Sequence, residues 1–217
     1  MVNESLRNSE KVYMVIRAIT VPIIMRKFKP IILHKEVIPK SYPIIFAPNH
    51  RQTLDPFFVF SAVNMPIHWV ALKRFFTGED SIFNNSKNWF LCQITKIMFV
   101  KMGCIPVDRD IADFNAYRMI DRYLKEGSNV GIFPEGTTNK EPEKTRILEV
   151  RSGMASFARR HCCWVQPIAI LWKEIGKHRQ IIVNFREAFW TEGMSVDEIT
   201  QRWRDEVEKG LAESEEI

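Results

Sequence analysis

Several common protein classes are excluded by what the sequence lacks. It has only four cysteines, Cys92, Cys104, Cys162 and Cys163. None forms a C-x-x-C pair, and the adjacent pair at 162–163 suits neither a disulfide framework nor a zinc site. They read as reduced thiols in the core. His161 stands beside two of them, but no second ligand cluster completes a tetrahedral set. The longest run without a formal charge, residues 56–72, contains Asn64, Pro66 and His68. It falls short of the roughly 20 apolar residues that cross a bilayer. No G-x-S-x-G elbow occurs: in Gly127-Ser128-Asn129-Val130-Gly131 the serine is in the wrong place. There is no internal repeat and no low-complexity tract, and no nucleic-acid motif is present, so no nucleic-acid partner is expected.

What is present is ordinary for a globular enzyme. The 217 residues are 46% apolar and 26% charged, which is enough to bury one core without metal or disulfide staples. The net charge of +5 favours anionic partners such as phosphates or acidic lipid. Residues 11–33 carry Val12, Val15, Ile16, Ile19 and Ile23 at helical spacing, interleaved with Lys11, Arg17, Arg26, Lys27 and Lys29. Arg17 inside the apolar stretch argues against a secretory signal. Two readings fit: a helix lying on an anionic membrane face, or a helix packed on the domain with breaks at Pro22 and Pro30. The expected organisation is an N-terminal amphipathic segment over 1–35, followed by a single domain over 36–217.

Short apolar runs then alternate with amphipathic ones. Strands are predicted over 43–47, 67–71, 104–107, 129–133, 164–170 and 180–185. Pro167 places the fifth of these at a sheet edge or strand start. Ile111, Phe114, Tyr117, Ile120 and Leu124 form one helical stripe, with Gly127 at the C-cap position. Ser195 and Glu198 form a capping-box pattern before Val196, Ile199, Trp203, Val207 and Leu211. The acidic tail after Leu211 reads as a frayed end. This alternation predicts an α/β fold: a mixed, mainly parallel sheet flanked by helices, with an N-terminal amphipathic helical segment. Ligands in such sheets sit beyond the carboxyl ends of the strands.

The chemistry-bearing residues sit at those ends. After the first buried strand come Asn49, His50, Arg51 and, four residues on, Asp55-Pro56, a helix N-cap followed by proline at the first helical position. A carboxylate turned back onto the imidazole fixes the tautomer and leaves the other ring nitrogen free as a base. The next unit, Gly103-Cys104-Ile105-Pro106-Val107-Asp108-Arg109, ends in a guanidinium suited to phosphate or carboxylate. The third, Phe133-Pro134-Glu135-Gly136-Thr137, leaves a strand into a turn. There Gly136 permits close approach to a ligand and the threonines offer hydrogen bonds. Lys73-Arg74-Phe75-Phe76 and Trp89-Phe90-Leu91 read mainly as helix core, with an acyl path or a membrane-facing rim as the alternative.

Taken in order, N-H-x4-D at Asn49–Asp55, G-x-I-P-V-D-R at Gly103–Arg109, F-P-E-G-T at Phe133–Thr137 and the proline-containing block at Val165–Ile170 resemble the glycerolipid acyltransferase family, of the lysophosphatidate-acylating type. The resemblance implies His50 as general base and Asp55 as its orienting partner. It implies Asn49, Arg51, Arg109, Glu135, Gly136 and Thr137 as substrate-binding residues. The implied reaction moves a fatty acyl group from an acyl-CoA or acyl carrier protein thioester to a lysophospholipid hydroxyl. It needs no metal or redox cofactor, and it takes place on the cytoplasmic face of an anionic membrane surface. The chain departs from the pattern at Gln52, where serine is usual, and at Thr138-Asn139, where Arg-Ser is usual. Lys140, Lys144, Arg146 and Arg151 read first as a solvated basic face, and otherwise as candidates to replace the missing cation. Acylation of a different lysolipid or of glycerol-3-phosphate, a thioester hydrolase and a non-catalytic binder of acidic lipid or nucleic acid are the competing functions.

Overall fold

Alternating apolar runs close into strands, and the amphipathic stretches between them into helices, because each must bury one face. The computed structural model describes residues 2–41, 43–81, 88–109, 111, 113–176 and 178–217, with side chains from Glu10 onward except at 178. The strands are β1 (Ile31–Leu33), β2 (Ile44–Pro48), β3 (His68–Leu72), β4 (Ile105–Val107), β5 (Val130–Gly131), β6 (Trp164–Ile175), β7 (His178–Phe185) and β8 (Phe189–Trp190). Among the described residues they form one sheet in the order β1-β7-β6-β2-β5-β3-β4, with β8 beside the start of β6. Strands β2 to β6 are mutually parallel, β7 and β8 are antiparallel to β6, and β1 is parallel to β7. The expected mixed, mainly parallel α/β fold is what forms.

The pleat divides the core between two faces. Ile45 and Ala47 of β2, with Val165 and Ala169 of β6, face α5 (Phe114–Lys125), α6 (Gly153–His161) and α7 (Val196–Glu215). Ile44 and Phe46, with Ile168 and Ile170, face α1 (Val2–Phe28), α2 (Asp55–Ala62), α3 (Arg74–Thr77) and α4 (Trp89–Lys101). On the first face Trp203 of α7 is fully buried and its indole N–H donates to the carbonyl of Ala47 at 2.7 Å. The Ser195–Glu198 capping box forms as expected.

Several expectations need correction. Helix α1 runs unbroken through Pro22 and stops at Phe28, ahead of Pro30. Its Arg17 turns inward and donates to the carbonyls of Val63 and Ser61 at the end of α2. Pro167 lies on an interior strand rather than an edge. Its carbonyl accepts from Arg186, so its missing N–H faces the gap between the pairing of β8 at Val165 and that of β7 at Ile168, where no ladder bond is lost. On α5 only Ile120 and Leu124 of the expected stripe are buried; Ile111, Phe114 and Tyr117 are exposed, and Ala116 and Tyr123 take their place. Trp89 and Phe90 are exposed as well, at 73% and 62%, so they are not core. Cys162 is an exposed thiol with a left-handed backbone, whereas the other three cysteines are buried.

The C-terminal tail is not frayed. Helix α7 continues to Glu215, where Glu213 meets His34 and Arg186, Glu215 pairs with Arg146, and Ser214 is buried. These tertiary partners hold a helix end that its local sequence would leave loose.

Candidate active site

The site forms where β2 stops and its neighbour β6 does not. The two strands are in parallel register, with Pro48 beside Ile168, and β6 continues to Ile175. Asn49 bridges the difference with its own amide: Ile170 N–H donates to Asn49 Oδ1 at 2.6 Å, and Asn49 Nδ2 donates back to Ile170 O at 3.2 Å. The side chain thus imitates one more residue of ladder. The chain then turns at His50 into the loop that opens α2.

His50 is gripped on every side. Its backbone N–H donates to Glu135 Oε1 at 2.7 Å, and its carbonyl accepts from Asn139 N–H at 2.8 Å. The imidazole stacks on Phe133 with centroids 4.0 Å apart. Nδ1 lies 3.0 Å from Asp55 Oδ2. With Nδ1–H donating to the carboxylate, Nε2 is the nitrogen left for chemistry on a ring that lines the cleft.

Asp55 is fully buried. It was expected to cap α2, but it is the first helical residue, with Leu54 in the cap position. Its carboxylate folds back over the loop instead. Oδ2 accepts from Arg51 N–H at 2.6 Å and Gln52 N–H at 2.7 Å as well as from His50, and Oδ1 accepts from Trp172 Nε1–H at 2.9 Å. One acidic group therefore sets both the loop and the ring.

Beside this pair opens a cleft of about 260 Å³. Phe57, Phe60, Leu72, Phe75, Phe99 and Met102 line its apolar part, and His50, Thr137, Thr138, Arg74, Arg109 and Lys140 its polar part. Arg109 is solvent-exposed on the cleft wall and makes no ion pair among the described residues. Desolvation by the surrounding protein, and then repulsion from Arg151 and Arg74, lowers its pKa. Arg74 pairs with Asp80 at 3.0 Å. Two guanidiniums and an ammonium, those of Arg74, Arg109 and Lys140, thus line the cleft, an arrangement that attracts an anion.

His50, Arg109 and Thr137 share the cleft wall; the other expected ligands are placed behind it. Glu135 is 2% exposed, and its second oxygen accepts from Leu148 N–H at 2.8 Å. It clamps two loops together. Burial pushes its carboxyl above the usual range, against the opposing pull of the Leu148 and His50 amides. Gly136 adopts φ +66°, and a Cβ there would come within 2.8 Å of the Arg151 side chain. Its close neighbour is therefore Arg151. Arg51 is buried, with Nε and Nη1 lacking hydrogen-bond partners among the described residues, and burial lowers its pKa against the pull of Glu135 and Asp55. Asn49 is engaged by β6, as described.

The four candidate replacement cations also separate. Lys144 pairs with Glu141 and Arg146 with Glu215, while Lys140 lines the cleft and Arg151 packs on the Gly136 turn. Asn139 is buried, donating from Nδ2 to the carbonyl of Thr145 and accepting from Glu141 N–H, and so it shapes this loop. No group of three metal-ligating side chains occurs among the described residues.

A family profile described as Acyltransferase matches residues 30–171, well over half of the chain. The chain belongs to the acyltransferase family. Its fold is similar to that of the 1-acyl-sn-glycerophosphate (LPA) acyltransferase PlsC from Thermotoga maritima, with TM-score 0.65 and 16% identity over 98% of this chain and 79% of that one. No curated protein sequence matches it.

Two aromatic residues of this acyltransferase's site escaped the sequence reading. Phe133 was legible as a strand end and as the first residue of the F-P-E-G-T block but not as a partner of His50, and its stacking on His50 joins residues 83 positions apart in the chain. Trp172 lies 117 positions from Asp55. Neither separation leaves a local pattern to find.

Proposed function

We propose that this acyltransferase moves a fatty acyl group from a CoA or acyl carrier protein thioester to the free hydroxyl of a lysophospholipid, with 1-acyl-sn-glycerol-3-phosphate as the first acceptor to test. The observation that carries the reading is the His50–Asp55 contact of 3.0 Å at a cleft lined by both cationic and apolar side chains. His50 Nε2 takes the proton from the acceptor hydroxyl as its oxygen attacks the thioester carbon. Asp55 stabilises the imidazolium that forms. Collapse of the tetrahedral intermediate expels the thiolate, which takes the proton back from His50 and leaves as the free thiol. Arg109 and Lys140 supply the charge that an acceptor phosphate requires, and Phe57, Phe75, Phe99 and Met102 offer an apolar wall to the acyl chain.

The outer surface supports a membrane-bound acceptor. On α1, Val15, Ile19 and Ile23 form an outward stripe, each at least 60% exposed, while Tyr13, Ile16, Ile24 and Phe28 face the core. Helix α4, which packs beside α1, exposes Trp89, Phe90 and Ile97 next to Lys96 and Lys101, while its Phe99 lines the cleft. Apolar residues flanked by cations suit an anionic lipid surface. No helix among the described residues is long and apolar enough to cross a membrane.

The test is thiol release from an acyl thioester with and without lysophosphatidate. Acceptor-dependent release and a labelled phosphatidate product are expected. In His50→Ala the rate falls about 10²–10⁴-fold. Equal rates in the two proteins reject the base, and release that ignores the acceptor identifies a hydrolase instead.

A further inference from the structure

We propose that Trp172 is a positioning residue that fixes the Asp55 carboxylate and, through it, the reactive orientation of His50. The proposal rests on the reading of His50 as the base.

The sheet explains how a residue so far along the chain reaches the site. Strand β6 overruns β2, which ends at Pro48 beside Ile168. Side chains alternate, so Ile168, Ile170 and Trp172 share the face that carries α2. Ile168 and Ile170 are covered by core. Trp172, one step beyond Asn49's bridge to Ile170, is level with the loop that holds Asp55.

The hydrogen-bond inventory gives that placement a role. An indole N–H is a donor only, so its bond to Asp55 Oδ1 has one possible sense. The other three donors, His50 Nδ1–H and the N–H groups of Arg51 and Gln52, all converge on Oδ2. A carboxylate held by one oxygen can still turn about its Cβ–Cγ bond, and its second oxygen can compete for the ring. Trp172 occupies that second oxygen and sets the carboxylate plane. The indole is itself fixed by edge contact with Phe58, at 5.4 Å between centroids. The result is a chain of orientation from Phe58 through Trp172 and Asp55 to His50.

Trp172→Phe removes the donor and keeps a ring against Phe58. The expected result is a fall in kcat of about 10-fold, the scale of one charge-assisted hydrogen bond, with KM for both substrates unchanged within about twofold. In a His50→Ala background the same substitution leaves the residual rate unchanged. An unchanged kcat, or an equal fold-loss in both backgrounds, overturns the proposal, since the latter marks a merely structural effect.

A second measurement needs no turnover. Histidine labelled with ¹⁵N should show His50 as the single Nδ1–H tautomer in the wild type and as a mixture in Trp172→Phe. Identical spectra overturn the proposal. Should phenylalanine disturb folding, benzothienylalanine at 172 keeps the shape of the indole and replaces only the N–H with sulfur. A wild type without acyl transfer would count against the proposed function, whereas the spectra alone decide the role of Trp172.

Discussion

At the scale of single residues, His50 is defined less by its own chemistry than by four constraints: a carboxylate on Nδ1, a carboxylate on its amide, an amide on its carbonyl and a phenyl ring on its face. Glu135 is the constraint most open to test, because it bonds two backbone amides and touches no cleft surface. In Glu135→Gln one of those amides faces an NH₂ group, and the expected loss is about 2 kcal/mol of stability. Its pH dependence has a definite sign. Burial raises the folded-state pKa above the ordinary 4.5, so the contribution of Glu135 is complete below that value and is lost as pH rises through the folded one. Urea unfolding should therefore show a gap between wild type and variant that is widest in acid and narrows towards neutral pH. A gap that widens contradicts the assignment.

At the scale of elements, the site depends on strand ends of unequal length. The first three motif blocks each sit at a strand exit and the fourth lies within β6, which is why strand prediction pointed to them. The lengths were less legible. Strand β5 is only two residues, although Ile132 N–H still donates to Phe46 O, and β6 runs five residues past the expected end. A hydrophobicity pattern reports burial, and a two-residue strand and its buried exit look alike. Beside β5 the packing is tight: a Cβ on Gly131 would fall 2.2 Å from the Trp69 ring, which is 4% exposed. Trp69 stacks on Phe133, and Phe133 on His50. Gly131→Ala is expected to cost about 1–3 kcal/mol and to lower kcat as the stack shifts. An unchanged urea midpoint would show that Trp69 can yield.

At the scale of the whole molecule, the two faces of the sheet differ in what covers them. Helices α5 to α7 carry ion pairs such as Arg160–Asp121 and Lys209–Glu206 on their outer surfaces, with Phe114 and Tyr117 of α5 the exposed apolar exceptions. On the other face, α1 and α4 leave apolar side chains uncovered. Ile19 is 63% exposed, so Ile19→Asp combined with Phe90→Asp should leave thermal stability within about 0.5 kcal/mol of wild type, as surface changes do. The same pair should abolish co-sedimentation with phosphatidylglycerol vesicles. Retained sedimentation would remove the membrane role from this face.

By itself the sequence determined the alternation of strands and helices, the four blocks in order and hence the family. These are local patterns, set by side-chain period, turn chemistry and residues a few positions apart. Only the tertiary structure decided what each block's side chains touch. It added the Arg51 and Gln52 amides to the Asp55 carboxylate, assigned Glu135 to backbone amides rather than to the cleft, placed Arg151 on Gly136 and brought Trp172 to Asp55. The last three pairings join elements distant in the chain, and their partners are chosen by sheet register and by the requirement that buried polar groups be satisfied, neither of which leaves a mark on neighbouring residues.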